Sequence, residues 1–243
     1  MATQPDTLRS PAVEDYAKAI YALQTRPDPA GPPSPVTTNA LAERLGVTPG
    51  SASAMVKRLD ELGLVSHVPY KGVSLTEPGR RVALEVIRHH RLLELYLVEN
   101  LGLSWDRVHE EAEVLEHVLS EQLEQVIADK LGHPTLDPHG DPIPGPDLKL
   151  TEPRTRSLDA LEAGRRGTFT RVSDADPAML RYLAERGISP GDTFEVVGRE
   201  PFGGPLLVRF GDTETVHPLG GELARAMRVE LAAATERTGK GAR

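Results

Sequence analysis

The chain has no cysteine, which removes disulfides, thiolate-held zinc and cysteine nucleophiles at once. Any metal it holds must be bound through nitrogen and oxygen. No apolar run approaches the roughly 18 residues that a membrane-spanning helix requires. Met1 to Ser10 lack the basic-then-apolar order of a secretory signal, so the expectation is a cytoplasmic protein with no membrane partner. There is no His-Glu-x-x-His run, and no nucleophile elbow is recognisable, which leaves a metallohydrolase as a minor alternative. Positive charge is also scarce, since the formal net charge is -8. That deficit would count against nucleic-acid binding only if charge were spread evenly. Acids crowd between His109 and Glu124, whereas Lys57, Arg58, Lys71, Arg80 and Arg81 fall elsewhere. Screening limits exposed charges to a reach of about 8 Å at physiological salt, so a basic face survives an acidic total.

What is present divides the 243 residues into segments of different character. Helical spacing of Val13, Tyr16, Ile20, Tyr21 and Leu23 predicts a first helix over Ala12 to Leu23, followed by a proline-rich loop, Arg26 to Pro35. A helix from Asn39 to Leu45 is capped by Thr37 or Thr38 and closed by Gly46. A second starts at Pro49 and runs to about Leu62, closed by Gly63. Two short helices about a glycine-containing turn form a helix-turn-helix. Leu64 to Leu75 then reads as a hairpin turning at Lys71-Gly72, which adds a wing. Two long helices are predicted next, Gly79 to about Leu101 and Trp105 or Asp106 to about Leu131. A proline-rich stretch follows, from Gly132 to Pro153. Strands are predicted at Thr168–Val172, Thr193–Val197, Leu206–Phe210, Glu214–Pro218 and Met227–Glu230, with a helix over Ala178–Arg186 among them. The expected fold class is therefore α+β. The segments are a winged helix-turn-helix over 1–76, a helical domain over 77–133, a linker over 134–160, a small β-barrel over 161–232 and a flexible tail over 233–243.

A recognition helix needs small or polar side chains near its N-terminus, so that its backbone approaches base edges, and basic groups behind them for phosphates. Thr48, Gly50, Ser51, Ser53 and Ala54 meet the first need; Lys57 and Arg58 meet the second, and Lys71 stands at the tip of the wing. A surface helix with an ordinary serine-rich start would look alike in isolation. Three elements in winged-helix order favour double-stranded DNA.

A second constellation lies further on. Glu113, Glu116 and His117 are spaced i, i+3 and i+4, with His109 a turn earlier; the preceding helix carries His90 and Glu94 at i and i+4. Carboxylates one turn apart repel by about 0.2 to 0.5 kcal/mol per pair, a penalty that a divalent cation reverses. The competing account is a solvated acidic face with incidental histidines, on a winged-helix regulator that needs no metal.

With these residues the chain resembles the diphtheria-toxin-repressor family of iron- and manganese-dependent regulators, over roughly Val13 to Glu230. The resemblance rests on Glu14-Asp15-Tyr16 with Ile20-Tyr21, the helix-turn-helix Leu41 to Leu62, Leu75-Thr76 with Gly79, His90-Arg91-Leu92 with Glu94, Val108 to Ala112, Glu116-His117 and His133-Pro134 to Pro144. It implies a metal-dependent repressor that dimerises through its middle helices, binds palindromic operators, holds two metals per subunit and carries a C-terminal SH3-like domain. One implied metal set is Asp15, Glu113, Glu116 and His117. The other is His90, Glu94 and His109, joined by Asp174 or Asp176 from the barrel. Iron-responsive members place sulfur ligands where this chain has Asp15 and Glu113, and these harder carboxylates favour Mn2+ or Fe2+, with Mn2+ first. Manganese-specific members often carry glutamate at the position of Lys18. A protonated lysine cannot ligate, so the expectation is two separated sites rather than a bridged binuclear centre.

Overall fold

The computed structural model describes residues 10–25, 35–68 and 71–232. The expected tail, most of the first proline-rich loop and the Pro69-Tyr70 part of the wing turn lie outside those residues. Two compact units emerge: one comprises the chain to Leu101 with Glu110–Thr135 and Pro142–Thr151, the other Gly102–His109, Leu136–Asp141 and the chain from Glu152.

In the first unit, α1 (Pro11–Gln24) buries Val13, Tyr16, Ala17, Ala19, Ile20 and Tyr21. Helix α2 (Thr38–Leu45) starts where the Thr37 side chain accepts from the Ala40 N–H and stops at Gly46, whose φ of 63° is one that side chains avoid. Helix α3 (Pro49–Glu61) has proline in its first turn, where no N–H is missed. Strands β1 (Val65–Val68) and β2 (Gly72–Leu75) pair antiparallel, and an isolated bridge from Val36 to Val73 ties the segment before α2 to the wing. Leu41, Ala52, Val56, Leu59 and Val73 close the core of this winged helix-turn-helix with α1.

The 25-residue α4 (Glu77–Leu101) is fixed at its start by contact. The Thr76 hydroxyl donates to the Gly63 carbonyl at 2.7 Å, and a Cβ on Gly79 would lie 1.9 Å from the Leu64 carbonyl oxygen. Alanine in a helix gains about 1 kcal/mol over glycine. Here the obstruction is backbone, which cannot swing away, and overpacking of this kind costs about 1–3 kcal/mol. Gly79→Ala is therefore expected to lower the urea midpoint of unfolding; an unchanged or raised midpoint would refute the close approach.

The long helix expected from Trp105 or Asp106 to Leu131 is two helices, α5 (Val108–Leu115) and α6 (Glu121–Lys130). The break has a local cause. Ser120 is extended, with ψ of 150°, and its hydroxyl accepts from the Leu123 N–H, so it caps α6 and starts a new helix where an uninterrupted one was expected. The proline-rich stretch after Gly132 contains no helix or strand up to Thr155, as expected. Part of it is nevertheless packed rather than free: Ile143 is buried with Leu92, Leu93 and Ile127, and Arg88 donates to the Pro144 carbonyl at 2.7 Å.

The second unit is a six-stranded antiparallel sheet in the order β3-β8-β4-β5-β6-β7. Its strands are β3 (Arg156–Ser157), β4 (Arg166–Val172), β5 (Thr193–Arg199), β6 (Leu206–Phe210), β7 (Val216–Leu219) and β8 (Met227–Leu231). Bulges at Phe169/Arg171 and Val196/Gly198 bend β4 and β5. Phe169, Val172, Val196, Val208, Leu219 and Val229 meet in one core, which α7 (Pro177–Ala184) completes with Leu180 and Leu183 and α8 (Gly221–Ala226) with Ala224. All five expected strands and the expected helix α7 are present within two residues of their predicted bounds; β3 and α8 were not anticipated. Both are short, and too few residues define a period.

Candidate metal centre and nucleic-acid interface

Every residue expected to face DNA is exposed: Thr48, Gly50, Ser51, Ser53, Ala54, Lys57 and Arg58 around α3, and Lys71 beyond β1. Ala52, Val56 and Leu59 turn the other way into the core. Three of the hydroxyls also have local work. Thr48 caps α3 by accepting from the Ser51 N–H at 3.2 Å, and its hydroxyl lies 2.9 Å from that of Ser51; Ser53 donates to the Pro49 carbonyl. The small helix start is thereby held rigid. Among the described residues Lys57 and Arg58 carry no such tie beyond a 3.9 Å surface pair of Lys57 with Glu61, which is worth little.

The acidic and histidine residues come together from three directions. Helix α1 brings Glu14, Asp15 and Lys18, α4 brings His90 and Glu94, and α5 with the turn after it brings Glu113, Glu116 and His117. The turn matters because α5 ends at Leu115. The Glu116 N–H still reaches the Ala112 carbonyl at 2.9 Å, so Glu113 and Glu116 keep helical spacing, while His117 leaves the helix and swings toward α1. There its Nδ1 lies 2.6 Å from Glu14 Oε2 and its Nε2 lies 3.1 Å from Asp15 Oδ1 and 3.6 Å from Glu116 Oε1. Glu14 was not anticipated; its position next to Asp15 was the available signal.

His90 joins this group. Its Nδ1 lies 2.5 Å from Glu116 Oε2, and its Nε2 lies 3.0 Å from Glu94 Oε1. His90, expected in one metal set, and Glu116, expected in the other, are thus in direct contact. The Lys18 ammonium donates to Glu113 Oε1 at 2.7 Å and to both oxygens of Glu116 at 2.9 and 2.8 Å. Glu94 and Glu116 are 1% exposed and His90 5%, so solvent does little to shield these charges. Burial raises the Asp15 pKa; His117 and Lys18 oppose the rise, and the neighbouring carboxylates Glu116 and Glu113 add to it. Burial works against a charged His90, but its bonds to Glu116 and Glu94 prevail and raise its pKa.

Around the turn lies a support the sequence did not disclose. His89 Nδ1 is 3.1 Å from the Glu116 carbonyl oxygen and its Nε2 is 3.1 Å from Glu124, while Arg88 donates to the same Glu124 at 2.5 Å. Helices α4 and α6 thereby brace the residues between α5 and α6. In the second unit, His109 Nδ1 stands 2.9 Å from Asp174 Oδ2. The alternative barrel residue, Asp176, caps α7 by accepting from the Ala178 N–H.

Four carboxylates, those of Glu14, Asp15, Glu113 and Glu116, thus converge with one lysine and two histidines in a largely buried site. The donors are hard oxygens and imidazole nitrogens, and Asp15, Glu116 and His117 each offer an atom within 4.8 Å of the others, as do His90, Glu113 and Glu116. This set fits a divalent cation, which would offset the excess negative charge that burial makes costly.

Comparison with known proteins agrees in kind. Three family models match in succession: the iron dependent repressor N-terminal DNA binding domain over residues 10–73, the iron dependent repressor metal binding and dimerisation domain over 76–145, and the FeoA domain over 156–231. The iron-dependent repressor IdeR of Mycobacterium tuberculosis is 33% identical over 202 residues, covering 78% of this chain and 86% of that protein. The diphtheria toxin repressor of Corynebacterium diphtheriae is 29% identical over 228 residues, covering 89% and 96% respectively. A solved manganese-dependent transcriptional repressor in complex with manganese matches with a TM-score of 0.82 at 44% identity, covering 90% of this chain and all of that one.

Proposed function

The chain belongs to the iron-dependent repressor family that includes the diphtheria toxin repressor, and from that premise we propose how its residues couple a divalent metal to DNA. It is a metal-dependent transcriptional repressor and not an enzyme, which sets aside the metallohydrolase and the metal-independent regulator. Among the described residues no helix is long and apolar enough to cross a membrane.

The reading is that Asp15, Glu113, Glu116 and His117 hold the regulatory ion, with His90 and Glu94 beside them, and that His109 and Asp174 contribute to a second position. Asp176, already a helix cap, is the weaker candidate there. Mn2+ is the favoured ion and Fe2+ the next, on the strength of an oxygen-rich donor set without sulfur and of similarity to a manganese-dependent repressor. One observation carries the reading: His117 and Glu116, beyond the end of α5, meet Glu14, Asp15 and Lys18 of α1, the helix that also packs in the winged helix-turn-helix core. A bound ion would supply positive charge to which Asp15 and the residues after α5 are both drawn. The chain's own part is to make that junction the fixing point of α1, and so, through α2 packed between them, of α3 in the same core. A coupling of about 1–3 kcal/mol between metal and DNA is enough for regulation.

Among the described residues nothing covers an apolar face of the helical segment. Leu93, Leu97, Leu101, Leu115, Val118, Leu123 and Val126 line a groove of ≈ 430 Å³, and Val118 is 77% and Val126 56% exposed. Such a face suits a second copy of this chain. A two-fold dimer would present two α3 helices to a palindrome whose half-sites lie about 34 Å apart, or at a multiple of that spacing. The proposed division of labour is DNA reading by 1–76, dimerisation and metal sensing by 77–133, connection by 134–160, and the SH3-like unit over 161–232.

Operator retention across Mn, Fe, Co, Zn and Mg ions, with a chelator control, tests the ion assignment; retention equal with and without chelator would overturn it. For the DNA face, alanine at Lys57 or Arg58 is expected to weaken binding to all sequences alike and to flatten the salt dependence by about 0.9 in log–log slope per lost phosphate contact. Unaltered affinity and slope in both variants would move the interface off α3.

A further inference from the structure

The residues able to hold a cation around Glu116 form two overlapping sets, Asp15-Glu116-His117 and His90-Glu113-Glu116. The second already has a cation among it. Lys18 Nζ lies 2.7 Å from Glu113 Oε1, 2.9 and 2.8 Å from the two Glu116 oxygens, and 3.2 Å from His90 Nδ1. The three carboxylate distances are those of charge-assisted bonds, and an ammonium's three protons match the three carboxylate oxygens it meets, with His90 alongside. The lysine is no incidental surface contact: its side chain is 20% exposed and the Glu116 side chain is fully buried. It sits one helical turn after Asp15 on α1, so the same helix presents a ligand to one set and an ammonium to the other.

We infer that Lys18 is a resident cation, filling the His90-Glu113-Glu116 position and restricting this centre to a single divalent ion at Asp15, Glu116 and His117, so that of the four proposed ligands Glu113 is held by the lysine instead. A second divalent ion would have to displace an ammonium tied to three carboxylate oxygens or bind next to its charge, and neither favours a pair. The lysine also docks α1 onto Glu113 and Glu116 without metal, so the ion has to close only the Asp15 and His117 side. Lys18 is thus a specificity-determining residue that sets metal count. This inference rests on the proposed metal reading of the same residues.

The test counts manganese per subunit by equilibrium dialysis and elemental analysis, and reads its electron paramagnetic resonance spectrum, in the wild type, Lys18→Met and Lys18→Gln. The wild type is expected to give an uncoupled six-line manganese signal. Each variant is expected to take up one more ion per subunit and to show the broadened, spin-coupled spectrum of two ions sharing Glu116. A coupled pair in the wild type would overturn the inference, and that measurement needs no variant to fold. Folded variants with unchanged stoichiometry would also overturn it. Glu116→Ala separates the two layers: if it leaves wild-type manganese uptake unchanged, the underlying metal reading fails, whereas normal loss there with no gain in the Lys18 variants refutes only the resident cation.

Discussion

Glu116→Ala and His117→Ala are each expected to abolish metal-stimulated operator binding, a loss of about 5- to 150-fold in affinity if the metal–DNA coupling has the usual size. The two reach that result differently. Glu116 is the hub: its carboxylate meets Lys18, His90 and, at 3.6 Å, His117. Removing it leaves an ammonium and an imidazole facing each other in a buried site, and breaking a buried pair costs about 3–5 kcal/mol, so this variant should also melt earlier. His117 is more peripheral, bound to Glu14 and Asp15 of α1. Its loss should remove the response while sparing the fold, which makes it the cleaner test. Fluorescence anisotropy with a labelled operator, with manganese and with chelator, measures both. Retention of a wild-type metal response in both variants would sink the assignment. Asp15→Ala, which removes one of the two α1 carboxylates facing His117, is expected to follow His117→Ala.

Val118→Asp is expected to convert the dimer to monomer. Val118 is 77% exposed in the single chain, so a carboxylate there costs the isolated fold almost nothing. In a dimer formed through the apolar groove the same group would be desolvated without a partner, at a cost of several kcal/mol, or a dissociation constant raised at least about a hundredfold. Sedimentation equilibrium reads this directly, and operator affinity should fall with it because two half-sites need two recognition helices. A variant that stays dimeric at wild-type concentrations would place the dimer interface elsewhere.

The position of Val118 illustrates how far periodicity carries. An uninterrupted helix was expected through it, and on such a helix Leu115, Leu119 and Leu123 form one stripe. The structure ends α5 at Leu115 and restarts at Glu121, because Ser120 caps a new helix. The signal was a serine before a Glu-Gln pair, overshadowed by an apolar repeat that ran on through the break. The same break is what frees His117 to turn toward α1. Spacing therefore picked out residues that do come together, but for a partly wrong reason.

The sequence by itself determined the local order of this protein. Gly46, Pro49 and Gly63 mark the helix-turn-helix ends, alternating apolar residues mark the sheet, and the lack of cysteine excludes thiolate metal ligands. These are short-range matters of backbone freedom, side-chain period and donor chemistry, readable within a few residues. Only the tertiary structure decided which charge meets which. That His90 bonds Glu116 as well as Glu94, that Glu14 reaches His117, and that Lys18 lies among Glu113, Glu116 and His90 depend on how α1, α4 and α5 cross. The contacts that α1 makes in this group join residues 72 to 103 positions apart. Their distances are set by the packing of Ala17 and Tyr21 against Ala83, Leu84 and Ile87, a long-range fit that no local period encodes.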